Sequence, residues 1–289
     1  MFTLGFQPHS GNFHRRELLR IGSLALGGMA LPGLLGARSK PATRKFVKDK
    51  AIVLLFLHGG APQQDTFDTK PNAPENIRSV GGEIQTKIPG SMFGRHFPKM
   101  AARADRMAVV HSFASGDGGH NPHVVIEGSN PLKSSVGSIY ARASGAINPK
   151  TAVPTNALLL PEAIDPTLKL GTPSGAFTLG ATMQQFASPP VKWDVARGKK
   201  GGKNNGGTGH WGNLTPLVLA GGGLKMGQVI GKSDAKGGAP STDKYGPDNL
   251  IASIYQTLFD TNEARVAADL PTNIGKIIGE GKPIRELHG

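Results

Sequence analysis

The chain has 289 residues, no cysteine, and 33 Lys and Arg against 20 Asp and Glu, a formal charge of +13. Without cysteine there can be no disulfide, thiolate metal site or cysteine nucleophile, so any metal would be held by His, Asp, Glu or backbone oxygen, which favours Zn, Mn, Ca or Mg. The charge favours anionic partners such as sulfate or phosphate esters and acidic glycans, although scattered solvated lysines explain it equally well, and 6% aromatic content argues against a base-stacking nucleic-acid platform.

The first 37 residues read as an export leader. Arg15-Arg16 precede Leu18-Leu19 and an apolar, Gly-rich run from Ile21 to Leu35, followed by Gly36-Ala37. A positive n-region, a short h-region and small residues at a cleavage position form a secretory signal, and the paired arginines make it the twin-arginine type. The run is shorter than the roughly 20 residues needed to cross a bilayer, and Pro32 interrupts it. The expected partner during export is therefore the twin-arginine translocase. The expected location is the periplasm or cell envelope, with no permanent membrane span. About 250 residues would remain, carrying +11 once the leader's three arginines and one glutamate are set aside. That is enough for one large domain or two small ones.

Residues 38–50 are basic and read as a tether. Ala51 to Leu57 is a continuous apolar run closed by Gly59-Gly60, the pattern of a central parallel strand buried on both faces. Ligands in such sheets sit beyond the carboxyl ends of the strands, which directs attention to residues 58–71. A second strand is predicted over Met107 to Ser112, opening into the polar loop Ser115 to Pro122. Two buried strands ending in polar loops indicate an α/β architecture. From Val124 a turn or two of helix is expected, then a candidate strand at Thr155 to Leu160. Residues 196–209 are cationic and Gly-rich and read as a flexible linker. It divides residues 51–195 from 210–289, two parts of one α/β domain. Strands are predicted at Leu214 to Ala220 and Gln228 to Ile230, around a turn at Gly221-Gly222-Gly223. After Pro247, the residues Leu250, Ile251, Ile254, Tyr255, Leu258 and Phe259 recur at helical spacing, with Asp248 in the first turn. This stripe predicts a core-facing helix.

Three familiar motifs are incomplete. Leu57-His58-Gly59-Gly60 resembles the oxyanion loop of lipase-type esterases, but no G-x-S-x-G nucleophile turn occurs in the chain. Gly227 to Ser233 resembles a phosphate-binding loop, but Met226 stands where its first glycine is required. His120 and His123 have a metal-binding spacing, but Pro122 between them disturbs a helical turn.

A broader resemblance runs through Leu54 to Pro74, then through Pro98 to Gly128 with His111-Ser112, Gly116-Asp117, His120 and Glu127-Gly128. It resumes at His210-Trp211, Leu219 to Gly223, Gly227 to Gly231, Ser233-Asp234 and the helix at Leu250 to Leu258. These segments resemble the domain of unknown function fifteen-oh-one, a twin-arginine-exported group related to sulfatases and alkaline phosphatases. The resemblance implies an alkaline-phosphatase/sulfatase-like three-layer sandwich with a central, mostly parallel sheet. It also implies metal ions at the strand ends that polarise phosphate or sulfate esters. By position, the resemblance makes Asp65, Asp68, His120 and His210 metal ligands, and Asp117 and His120 catalytic residues.

The chain departs from that pattern. Gly209 replaces the aspartate expected before His210-Trp211. The linker stands where relatives carry a long middle segment, of which Trp193-Asp194 looks like a remnant. Two-metal catalysis needs ligands that clamp both the attacking and the leaving oxygen. The resulting expectation is a reduced, shortened relative, catalytically weak or inactive, that binds a sulfated or phosphorylated ligand. The alternatives are an active metal-dependent ester hydrolase and a structural or interaction protein of the cell envelope.

Overall fold

The computed structural model describes residues 44–57, 61–117, 123–148, 150–151, 155–158, 182–183 and 213–288. Apart from 150–151, these belong to one compact unit. The export leader and the linker at 196–209 lie outside the described residues.

The unit is mixed α/β. An antiparallel hairpin joins β1 (Glu83–Gln85) to β2 (Met92–Gly94), with Ile84 opposite Phe93. A short helix, α1 (Pro98–Ala101), leads to β3 (Ala108–Val110). Helices α2 (His123–Glu127) and α3 (Val136–Ser144) follow. The two-residue strands β4 (Ala157–Leu158) and β5 (Thr182–Met183) pair in parallel. Then come β6 (Leu217–Leu219), β7 (Gln228–Ile230), and the helices α4 (Pro247–Leu258), α5 (Thr261–Val266) and α6 (Thr272–Gly279).

β3 is the centre of a three-stranded sheet in the order β6-β3-β7. It runs antiparallel to β6, Val109 facing Val218, and parallel to β7, Val109 facing Val229. The sheet is therefore mixed. Ala108, Val109 and Val110 are at most 2% exposed, the three-apolar pattern of a strand covered on both faces. Ala108 and Val110 join the main core with Phe113, Ile139, Ile230 and the apolar sides of α4 and α6. Val109 turns the other way, into a smaller core with Phe67, Ile88, Phe93, Ala101 and Ala104. One face of the sheet thus carries helices and the other a hairpin.

α4 forms as its residues dictate. Pro247 opens the helix with a backbone angle already suited to it, at a position whose N–H would have no intrahelical partner. The Gly246 N–H donates to Asn249 Oδ1 at 2.9 Å, and Asp248 sits in the positively polarised first turn. Leu250, Ile251, Ile254, Tyr255 and Leu258 are all buried, as the helical spacing predicts. Burial raises the Tyr255 phenol well above its usual range. α5 is capped by Asp260, whose Oδ1 accepts from the Asn262 and Glu263 N–H groups at 3.1 Å. α6 packs closely on it, because a Cβ at Gly275 would lie 3.0 Å from the Ala264 carbonyl oxygen.

One expectation needs correction. Ala51 to Leu57 is not the central buried strand: among the described residues it belongs to no sheet, and Ile52 to Leu57 are 39–82% exposed. β3 takes the central place because β6 and β7 flank it on both edges, and burial of a strand depends on those neighbours rather than on its own composition. Among the described residues the sheet is mixed, since β6 runs against β3 while β7 runs with it. The basic stretch read as a tether is anchored at its end. Phe46 is 4% exposed, Val47 forms an antiparallel bridge with Phe259, and the Phe46 and Phe259 rings lie 6.2 Å apart.

The other elements follow the expectation more closely. β3 lies within the predicted Met107 to Ser112, β6 within Leu214 to Ala220, and β7 spans the predicted Gln228 to Ile230. The three glycines between β6 and β7 have φ of +80°, +72° and +83°, a left-handed turn open to residues without a Cβ. Of the predicted strand at Thr155 to Leu160, β4 forms the described part.

Candidate functional site

β3 and β7 run in parallel and end side by side, with the His111 N–H donating to the Ile230 carbonyl at 2.9 Å. Beyond that end the chain turns at Gly231, where φ is +69° and a Cβ would overlap Ser112 Oγ and lie 2.6 Å from Ser112 Cβ. Only glycine fits such a turn. It delivers Ser233 towards the loop that carries Asp68.

Four side chains meet there. Ser233 Oγ donates to Asp68 Oδ2, and Lys70 Nζ lies 3.2 Å from the same oxygen. His111 Nδ1 is 3.7 Å from Asp68 Oδ1, while Nε2 lies 2.9 Å from the Phe67 carbonyl oxygen. The Asp68 side chain is 11% exposed, and those of Lys70 and His111 are 16% exposed. Burial lowers the His111 pKa; Asp68 and the Phe67 carbonyl oppose the shift, and Lys70 reinforces it. The neutral ring is therefore favoured at pH 7. Because a carbonyl only accepts, the ring hydrogen belongs on Nε2, leaving the Nδ1 lone pair towards Asp68.

The backbone holds this group in place. Lys70 has a φ of +51°, a left-handed conformation uncommon outside glycine that brings its ammonium to Asp68. Gln63 Nε2 donates to the Gly237 carbonyl at 2.6 Å, a second tie between the two loops. Asp234 closes the turn after Ser233 by accepting the Lys236, Gly238 and Ala239 N–H groups, and its pKa is lowered, mainly by the bond from Gly238. Asp68 and His111 also line a small recess with Gln63, Phe67 and Thr215. Two buried hydroxyls next to these residues in the chain, Thr69 Oγ1 and Ser112 Oγ, make no hydrogen bond among the described residues.

The residues singled out from sequence are distributed unevenly. Asp68 stands at the centre of the group. Asp65 supports the loop instead, its Oδ1 accepting from Ser79 Oγ at 2.9 Å and the Val80 N–H at 3.0 Å. Asp117 lies in the loop after β3, where its carbonyl accepts from Ser115 Oγ at 2.9 Å. His120 and His210 lie outside the described residues. Sequence reasoning did not reach Lys70, His111 and Ser233 as site residues. The signal that could have found His111 and Ser233 is their position just past the carboxyl ends of parallel strands.

The group does not fit a two-metal centre on the described residues alone. No three His, Asp or Glu side chains gather to hold an ion among them, and the ammonium of Lys70 occupies the cationic side of Asp68. Such a carboxylate can orient a hydroxyl and hold a fixed positive charge near a strand-end recess.

A family model described as a protein of unknown function (DUF1501) matches residues 49–195 and 196–287. No curated protein and no solved structure matches the chain.

Proposed function

The chain belongs to the family of proteins of unknown function DUF1501, and from that premise we propose that it is an exported, shortened sulfatase/alkaline-phosphatase-like protein that binds a sulfated or phosphorylated ligand with little or no catalysis. The observation that carries this reading is the pairing of Asp68 with Lys70 at 3.2 Å. A carboxylate so compensated is a poor first ligand for a divalent ion, whereas an anion that takes the place of Asp68 beside Lys70 would gain that ammonium, with the exposed Lys232 next to Ser233 in the chain adding positive charge. The three-layer sandwich, the periplasmic location and passage through the twin-arginine translocase belong to the same proposal. No described helix is long and apolar enough to cross a membrane.

A second reading rests on the His111 ring. Its Nδ1 lone pair faces Asp68 Oδ1 across 3.7 Å, so displacement of Lys70 would leave an imidazole and a carboxylate converging on one point. In that form Asp68 and His111 would hold a single Zn or Mn ion, which would polarise an ester oxygen.

One experiment separates the two. The full chain is titrated with inorganic sulfate and inorganic phosphate by calorimetry and assayed on aryl sulfate and aryl phosphate with added Zn or Mn. The proposal expects anion binding that weakens at least tenfold in Lys70→Ala, with turnover at background. Metal-dependent turnover abolished by Asp68→Ala would overturn it in favour of the hydrolase.

A further inference from the structure

β3 and β7 run in parallel, so their amino ends lie together at the end of the sheet opposite His111 and Ser233. Positive charge gathers there. Lys87, Lys99, Arg103 and Arg106 line a groove of about 520 Å³ whose one carboxylate among the described residues is Asp105. The rest of the lining is Pro98 and Ala102. Ile88, Ala101 and Ala104 are buried in the smaller core, while the four cations beside and between them are exposed.

The backbone around the groove is fixed. The Lys87 N–H donates to the Ala101 carbonyl at 3.4 Å, and Lys87 Nζ lies 3.6 Å from Asp105 Oδ2, which ties the hairpin to the segment before β3. Gly227, just before β7, packs against that segment: its N–H donates to the Met107 carbonyl at 2.8 Å, and a Cβ there would lie 3.1 Å from the Asp105 carbonyl oxygen. The clustering of charge does not serve the fold. Arg103 stands one turn after Lys99, with Nη1 3.4 Å from the Lys99 carbonyl oxygen, and like charges at that spacing weaken a helix slightly. Of the four cations only Lys87 has a carboxylate partner among the described residues, and the two side chains are 59% and 45% exposed, where an ion pair adds little stability. A groove lined by one sign of charge instead concentrates ions of the other sign.

We propose that this groove binds a sulfated or phosphorylated sugar chain, at a site separate from the Asp68 group and independent of the function proposed there. The lining selects the occupant. With no large apolar side chain, the groove has nothing to insert into a bilayer. With no aromatic ring, it gives bases no stacking platform. Pro98 and Ala102 form no pocket for the side chains of an acidic peptide. Charge and donor geometry carry the recognition. The guanidinium groups of Arg103 and Arg106 present planar forks that match two oxygens of a sulfate or phosphate ester, and Lys87 and Lys99 add point charges. The volume suits a short segment of such a chain, since ligand clefts span about 300–1,000 Å³.

The test titrates the full chain by calorimetry with a sulfated heparin octasaccharide and with the same octasaccharide after desulfation. The sulfated form should bind, with an affinity that falls about tenfold or more between 50 and 200 mM salt, and the desulfated form should bind at least tenfold more weakly. Arg103→Gln with Arg106→Gln should weaken binding at least tenfold at an unchanged circular dichroism spectrum. Lys87→Gln with Lys99→Gln should do the same, so a folding failure in one pair leaves the other as the test. Lys244→Gln with Lys276→Gln removes equal charge from exposed positions outside the groove and should change binding less than twofold. The arginine pair should have the same effect in the Lys70→Ala protein, which separates this groove from the Asp68 group. The proposal is overturned by an absence of binding to the unmodified chain, by undiminished binding in the groove pairs, or by equal losses in the groove and control pairs. Tighter binding of a single-stranded oligonucleotide, poly-glutamate or phosphatidylglycerol vesicles than of the sulfated octasaccharide would also overturn it.

Discussion

Replacing Gly94 by alanine tests how the Asp68 loop is held. Gly94 ends β2, and its N–H donates to the Thr66 carbonyl at 2.6 Å. A Cβ built there would overlap the Asp65 carbonyl oxygen and lie 2.8 Å from its carbon. Both atoms are backbone, so no side-chain rotation relieves the overlap, and strand and loop must separate by about 1 Å to reach ordinary carbon–carbon contact. The strand cannot retreat freely, because Phe93 beside it is fully buried and its ring lies 5.0 Å from that of Phe67. Overpacking of this kind costs about 1–3 kcal/mol, and a lost Gly94–Thr66 hydrogen bond adds about 1 kcal/mol. The expected destabilisation is therefore about 2–4 kcal/mol, read as a lower denaturant midpoint at unchanged slope. Gly90→Ala is the control. It meets nothing within 4 Å but has a φ of +76°, so only the left-handed penalty of about 1–2 kcal/mol applies. A Gly94→Ala protein within about 0.5 kcal/mol of the parent would refute the reasoning, because surface substitutions stay within that range.

Asp68→Ala should destabilise by about 3 kcal/mol, because it strands the largely buried Lys70 charge. Lys70→Met in the same chain should restore part of that loss, and a double-mutant cycle from chemical denaturation measures the coupling. For acid sensitivity, burial lowers both His111 and His288, with Asp68 opposing it at His111 and Lys48 reinforcing it at His288. Unfolding then takes up protons below the ordinary histidine pKa of about 6.5, so this contribution is full above that pH and is lost as the pH falls through the lowered folded-state values. Thermal melts between pH 7.5 and 5 should flatten in His111→Gln. Gly275→Leu should push α6 away from α5, where the Ala264 carbonyl oxygen would be 3.0 Å from even a Cβ, and lower stability by about 1–3 kcal/mol.

Local pattern by itself determined several features of this protein. The α4 stripe, the strand at Gln228 to Ile230 and the turn at Gly221-Gly222-Gly223 were legible because each depends on residues within a turn or two of one another. The family pattern pointed to Asp68 as a metal ligand, whereas its partners Lys70 and Ser233 came only from the structure. What only the tertiary structure decided is non-local. Ala51 to Leu57 and Ala108 to Val110 are both apolar, yet one run is exposed and the other is the sheet's centre, because burial depends on which strands arrive alongside. Ser233 meets Asp68 across 165 positions of sequence, and the turn at Gly231 brings it there. A side chain's chemistry is written in its residue, but its partner is set by the packing of distant segments.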